Sequence, residues 1–378
     1  MKKNQSRIYF VLLLALFSFT SCTQHSSENN DVDIIEQVRL KHCPDKRTSV
    51  YDVEAKREKN KLILKGEILS VEAKNELMAG LKSGGNQVVD KLTLLPDPDL
   101  NGNIYGVVTI SVAQVRKQPD VYYEIITQEL LGKEIRILKK DGIWFYCQFE
   151  DNYIGWIMES SVASGDKKFI EQWREQPKLI ITASCGQILQ KASGKNNYPV
   201  CDVVLGNKMI NLGIENNLFH VQLPDGRKGY IKNNMAMDVE KFNELPKGKA
   251  KDLIHLAYSF MGIPYFWGGK SPKGFDCSGF VQTIYKMNGF QLQRDANMQV
   301  NQGKEVLIDG SLDNLKSCDL LFFGENLEHI THVGMYLGEG KFIHADGMVQ
   351  INSLNPGDKD YSEYRRNGLK AVRRYLGD

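Results

Sequence analysis

Phe275-Asp276-Cys277-Ser278-Gly279-Phe280-Val281 sets a thiol between an acid and a hydroxyl, directly ahead of an amphipathic stretch. Two imidazoles follow, His332 and His344, each inside an apolar, strand-like run. A thiol, a base and a second imidazole to orient the base are the groups that nucleophilic acyl transfer needs. Asp276 is placed to cap a helix whose first turn holds Cys277. Free N–H groups and the helix dipole favour an anion there, so the thiol is expected to ionise easily.

Hairpin arithmetic relates the two histidines. With Gly338-Glu339-Gly340 as a three-residue loop, Leu337 faces Lys341, His344 faces Gly334 and His332 faces Asp346. The histidines then share one face as diagonal neighbours, with backbones roughly 7–8 Å apart. His332 is the expected base and His344 the group that fixes its tautomer. A two-residue loop would break this parity. Zinc is the competing use of a Cys-His-His set, but no fourth ligand, H-x-E or CxxC accompanies it. No metal and no cofactor is expected.

The elements that must position these groups read as follows. Leu253, Ile254, Ala257, Tyr258 and Phe260 have helical spacing, and so do Phe280, Val281 and Ile284. Strand-like runs come afterwards, at 318–323, 332–337, 341–345, 349–351 and 370–375. Helices followed by strands is an α+β order. Upstream, Leu131 to Leu138 aligns with Leu205 to Leu212, an offset of 74. The same offset aligns Phe145 to Phe149 with Phe219 to Leu223, and Gly155-Trp156-Ile157 with Gly229-Tyr230-Ile231. One offset for three blocks marks an internal repeat, and its short alternating strands suit a small β-barrel. Before it, Tyr51 to Leu69 reads as a hairpin about Lys59-Asn60, 71–81 as a helix and 88–95 as a strand. The Pro96-Asp97-Pro98-Asp99 run is a boundary.

The N-terminus is a separate object. Lys2, Lys3 and Arg7 precede an apolar run, Ile8 to Phe19, of signal-peptide length. Thr20-Ser21-Cys22 resembles a bacterial lipobox with Cys22 as the lipidated residue, although Phe19 replaces the usual aliphatic residue, so ordinary cleavage stays open. Thr23 to Asp33 reads as a flexible tether. The chain is thus expected to be exported and lipid-anchored in the bacterial cell envelope. In such a compartment Cys185 and Cys201 have the option of pairing, whereas Cys147 and Cys318 read as small buried apolar residues. A formal net charge of +2 over 378 residues argues against nucleic acid as a partner. No partner protein is evident.

Within a last domain placed at 246–378, residues from about 250 to 375 resemble the NlpC family of papain-like bacterial cell-wall peptidases. The carrying motifs are Gly262-Ile263-Pro264-Tyr265-Phe266-Trp267-Gly268-Gly269, the Cys277 segment, Asp319-Leu320-Leu321-Phe322-Phe323, His332-Val333-Gly334-Met335-Tyr336 and Phe342-Ile343-His344-Ala345. The resemblance implies a Cys277–His332–His344 triad, with Tyr265 and the Cys277 backbone N–H at the oxyanion site. Val115-Arg116 and the Gly-Trp-Ile block resemble bacterial SH3-like domains, placed at 101–165 and 175–238. The implied architecture is a signal peptide (1–22), an N-terminal α/β extension (23–100), two SH3-like barrels and a papain-like domain. Family members of this type cleave the γ-D-glutamyl–diamino acid bond of peptidoglycan stem peptides. Arg294-Asp295-Ala296-Asn297-Met298-Gln299 resembles their groove-lining segment, which makes Asp276, Ser278, Arg294 and Asp295 substrate contacts. Glu124 and Tyr153 match the acidic end that receives the free amine of L-Ala-γ-D-Glu. Arg294 or Asp295 serves equally well in a structural ion pair. Two alternatives stay open: a muramoyl-L-alanine amidase or acyltransferase with the same triad, and a non-catalytic wall-binding lipoprotein.

Overall fold

The computed structural model describes residues 20–308 and 310–377. Two compact units divide between Asp97 and Pro98, inside the Pro-Asp-Pro-Asp run. The first unit contains α1 (Thr20–His42), β1 (Tyr51–Glu58), β2 (Lys61–Ile68), α2 (Val71–Ser83) and β3 (Gln87–Leu94). β1 and β2 form the expected hairpin, and β3 runs parallel to β2 with α2 as the crossover. Ser70 caps α2 by accepting from Ala73 N at 3.0 Å.

The tether expected at Thr23 to Asp33 is instead part of α1. At Asp31 it is held from outside the helix. Asp31 accepts from Arg57 at 2.5 Å and from Asn86 at 2.6 Å, and Ile34, Ile35 and Val38 join Leu77 and Leu81 in the core. Burial, not the polar local sequence, decides this segment. The expected signal region lies outside the described residues up to position 19, as does the Cys22 side chain.

The second unit opens with two seven-stranded sheets. The first uses β4 (Tyr105–Val108), β5 (Val112–Arg116), β6 (Ile125–Leu130), β7 (Glu134–Asp141), β8 (Trp144–Gln148), β9 (Ile154–Met158) and β10 (Val162–Gly165). After α3 (Lys167–Glu175) the second uses β11 (Lys178–Ile181), β12 (Cys185–Leu189), β13 (Pro199–Val204), β14 (Lys208–Glu215), β15 (Leu218–Gln222), β16 (Lys228–Lys232) and β17 (Ala236–Asp238). The strand orders are β10-β4-β7-β8-β9-β5-β6 and β17-β11-β14-β15-β16-β12-β13, so each strand finds its counterpart in the same place. Each sheet encloses its own core, the first around Val115, Ile137, Phe145 and Ile157, the second around Ile188, Met209, Val221 and Ile231. Cys185 and Cys201 do not pair. Cys185 faces Val204 and Cys201 faces Ile188, which puts them on opposite faces of the β12–β13 ladder, and both are free thiols.

The remaining elements are α4 (Val239–Glu244), α5 (Ala250–Tyr258), β18 (Lys270–Ser271), β19 (Gly274–Phe275), α6 (Cys277–Met287), α7 (Ala296–Gln299), β20 (Lys304–Glu305), β21 (Leu320–Gly324), β22 (Ile330–Gly338), β23 (Lys341–Asp346), β24 (Met348–Ser353), α8 (Glu363–Gly368) and β25 (Leu369–Arg374). The antiparallel sheet has the order β20-β25-β21-β22-β23-β24. Both of its faces are buried. Leu320, Phe322, Val333, Met335 and Ile343 pack with Phe280, Val281 and Ile284 of α6, while Leu321, Phe323, Tyr336 and Phe342 pack with Val306, Leu315 and Leu354. Helices on a mostly antiparallel sheet give the α+β, papain-like layout.

Candidate active site

Cys277 is the first residue of α6, and its position is set by Asp276. That carboxylate caps the helix by accepting from Gly279 N at 2.6 Å, and it also accepts from Gly268 N at 3.0 Å. Arg294 completes its coordination at 2.5 and 3.2 Å. The same guanidinium donates to Ser278 Oγ at 3.0 Å and to Thr127 Oγ1 of β6 at 2.7 Å. Arg294 is 1% exposed, and the Asp276 charge beside it raises its pKa further despite burial. Asp276, Ser278 and Arg294 are therefore committed to one another and to the start of α6. Asp295 is held by Tyr153, whose hydroxyl donates to it at 3.0 Å.

The sulfur lies against β22. Backbone N–H groups of Val333 and Ser278 point at it and favour the thiolate. Burial opposes them and wins, with help from the Asp276 charge, so the thiol is pushed up to about 12. This corrects the expectation of an easily ionised thiol. The helix N-terminus is present, but Cys277 is 8% exposed, and desolvation of the charged form outweighs the dipole. Among the described residues no hydrogen bond joins the sulfur to either histidine in this resting state; such bonds commonly tighten only when substrate binds.

The histidines form a chain whose proton positions follow from its far end. Asn352 Nδ2 donates to the Asp360 carbonyl at 3.1 Å, which turns Asn352 Oδ1 toward His344 Nε2 at 2.8 Å. His344 Nε2 must then carry its proton, leaving Nδ1 as an acceptor. His332 Nε2 sits 2.8 Å from that Nδ1 and is the donor. The proton-free nitrogen of neutral His332 is therefore Nδ1, the lone pair a base requires. Burial and the Arg365 charge hold the His332 pKa well below 6.5, and burial takes His344 to about 4. Phe323 and Phe342 pack on the two rings, at 5.9 and 4.7 Å.

The hairpin reaches this arrangement by another route than expected. The loop has two residues, Glu339 and Gly340, both with positive φ (52° and 77°). Gly338 pairs with Lys341, and a bulge at Leu337 returns Tyr336 to Phe342 and Met335 to Ile343. Loop and bulge together restore the register that a three-residue loop would have given. Gly334 supplies the room: a Cβ there would lie 3.2 Å from His344 Cβ.

Tyr265 is brought in by a short backbone pairing. Its N–H donates to Gly347 O at 2.8 Å, and Phe275 N donates to Pro264 O at 3.3 Å. Its phenol is pushed up by burial and by the charges of Cys277 and Asp276, so it keeps its proton. Two residues on, Trp267 Nε1 donates to Glu124 Oε1 at 2.8 Å. The first SH3-like sheet thus touches the site at Thr127, Tyr153 and Glu124. Sequence reasoning missed Asn352 and Arg365. Period-two alternation along β24 does put Asn352 on the His344 face, but no motif marks it. His332, His344 and Asp346 also present ligand atoms within 4.8 Å of one another, although both nitrogens of His344 and Nε2 of His332 are engaged as above and Asp346 pairs with Arg365 at 2.8 Å.

The chain is similar to known proteins of one family. Residues 262–367 match the NlpC/P60 family, and residues 115–162 match the bacterial dipeptidyl-peptidase Sh3 domain. A gamma-D-glutamyl-L-lysine dipeptidyl-peptidase of Bacillus cereus is 32% identical over 255 residues, covering 64% of this chain and 74% of that one. Its Bacillus subtilis namesake is 30% identical, covering 58% and 72%. The crystal structure of an NlpC/P60 family protein from Bacillus cereus superposes with a TM-score of 0.61 at 27% identity, over 72% of this chain and 100% of that one. Family motif, SH3-like match and fold converge on one conclusion: this chain belongs to the NlpC/P60 family, and it is a cysteine peptidase.

Proposed function

We propose that this chain hydrolyses the γ-D-glutamyl–diamino acid bond of peptidoglycan stem peptides that present a free N-terminal L-Ala. The observation that carries the reading is the carboxylate that the first SH3-like domain brings to the Tyr265–Trp267 segment. Glu124 comes from the first SH3-like sheet and reaches Trp267; Asp295 comes from the peptidase domain and is held by Tyr153. A carboxylate there suits an ammonium and disfavours a blocked or extended N-terminus. Relatives named dipeptidyl-peptidases support the same reading.

In the proposed mechanism the Cys277 thiol passes its proton to His332 Nδ1 as sulfur attacks the γ-carbonyl carbon. The C–O π pair moves onto oxygen, where the Tyr265 hydroxyl and the Cys277 backbone N–H stabilise it. His332 then protonates the departing amine, and the C–N bond breaks to leave a thioester. Water, deprotonated by His332, attacks the thioester and releases the carboxylate and the thiol. His344 and Asn352 hold the ring through both half-reactions. The buried Asp276–Arg294 pair fixes the start of α6, with Ser278 beside the groove.

Incubation with L-Ala-γ-D-Glu-diaminopimelate and its N-acetyl form tests the reading. The free-amine peptide should be cut, the blocked one should not, and Cys277→Ala should cut neither. Equal cleavage of both peptides would end the free-amine idea, and release of muramic acid from a muramoyl peptide would point to an amidase. We also propose export and lipidation at Cys22. Mass spectrometry of the membrane fraction should find an acylated N-terminal cysteine, and an unmodified soluble product would refute it.

A further inference from the structure

A cavity of about 550 Å³ lies behind α6, where the two SH3-like sheets meet the peptidase domain. It is distinct from the peptidase site. Lys286 of α6 lines it, nine residues and about 13 Å of helix from Cys277. Its walls are apolar, formed by Leu130, Ile180, Leu205, Leu245, Phe290 and Leu292. Four lysines and four carboxylates line it, and three of the lysines, Lys133, Lys208 and Lys286, gather about one acid, Glu150. Lys133 and Lys286 both donate to the same oxygen, Glu150 Oε2, at 2.8 and 2.7 Å. Lys208 lines the cavity too and has no ion-pair partner among the described residues. Of the other lining charges, Lys270 pairs with Glu129 at 2.6 Å, while Asp252 accepts from the Lys249 backbone N–H at 2.9 Å and Asp151 from the Gln282 amide at 3.3 Å.

Two ammonium groups thus share one carboxylate, and a third lysine, Lys208, lies beside them in a partly desolvated space. Burial and the Lys286 and Lys208 charges outweigh Glu150 and bring Lys133 down to about 7. An added anion relieves that imbalance, and an apolar body attached to it covers the leucine walls. We propose that this cavity binds a small amphipathic anion, a carboxylate carried on an apolar body, with Lys133, Lys208 and Lys286 on the head group. The reading does not depend on which peptide the Cys277 site cleaves.

Calorimetric titration of the full chain with octanoate, and separately with inorganic phosphate, tests it. Octanoate should bind one to one and phosphate much more weakly. Lys208→Met breaks no ion pair, so the fold should persist, with peptidase activity as its check. Octanoate binding to that variant should weaken about tenfold or more. Lys133→Met should weaken it as well. The proposal is overturned by absent octanoate binding, by equal binding in both variants, or by phosphate binding as tightly as octanoate.

Discussion

At the scale of single residues, the site stores its reactivity in neutral forms. The Cys277 thiol is up at about 12 and the His332 imidazolium is destabilised, both chiefly by burial. Proton transfer between them is then part of the reaction rather than of the resting state. Because His332 must be unprotonated to act as base, and its pKa lies below 6.5, the acid limb of kcat/KM should fall below pH 6.5. An acid limb at or above pH 7 would contradict this. Asn352 sets the tautomers from the far end of the chain. Asn352→Ala should lower kcat about tenfold or more, part of what a positioned base contributes. Asn352→Asp should instead move the acid limb upward, since a carboxylate beside His344 favours the protonated ring pair. Unchanged pH profiles in both variants would remove Asn352 from the site.

At the scale of elements, the β22–β23 hairpin decides whether the histidines meet. Its two-residue turn alone would have shifted the facing residues by one, and the Leu337 bulge compensates. The pair then needs space, and Gly334 gives it. A Cβ at that position would also lie 2.8 Å from Phe342 Cδ2. Gly334→Ala should therefore cost about 1–3 kcal/mol in urea unfolding. It should cost activity more heavily, because His344 must shift with Phe342 and small misplacements of a catalytic group are expensive. Full activity with lowered stability would mean that the ring pair tolerates movement.

At the scale of the whole second unit, Arg294 is the tie between the first SH3-like sheet and the nucleophile helix. It joins Thr127 of β6 to Asp276 and Ser278, fully buried. Arg294→Met leaves the Asp276 carboxylate buried with only backbone and hydroxyl donors. The expected loss is about 3–5 kcal/mol, read from denaturant unfolding. A loss under about 1 kcal/mol would show that the pair stands apart from the fold. The two sheets are tied to each other by backbone and amide contacts, Asn207 Nδ2 to Ser111 O at 2.9 Å and Lys208 N to Leu131 O at 2.9 Å.

Local chemistry makes much of this legible in the sequence. Asp276 ahead of Cys277 is a cap by side-chain type alone, the spacing of Phe280, Val281 and Ile284 is helical, and an offset of 74 reappears as two sheets of one strand order. Those features depend on near neighbours or on periodicity, which a sequence carries directly. The ionisation of Cys277, the order in α1, the separation of Cys185 from Cys201 and the recruitment of Asn352 depend on what distant segments bring close. Desolvation and long-range pairing arise only when the chain is packed, so only the tertiary structure decided them.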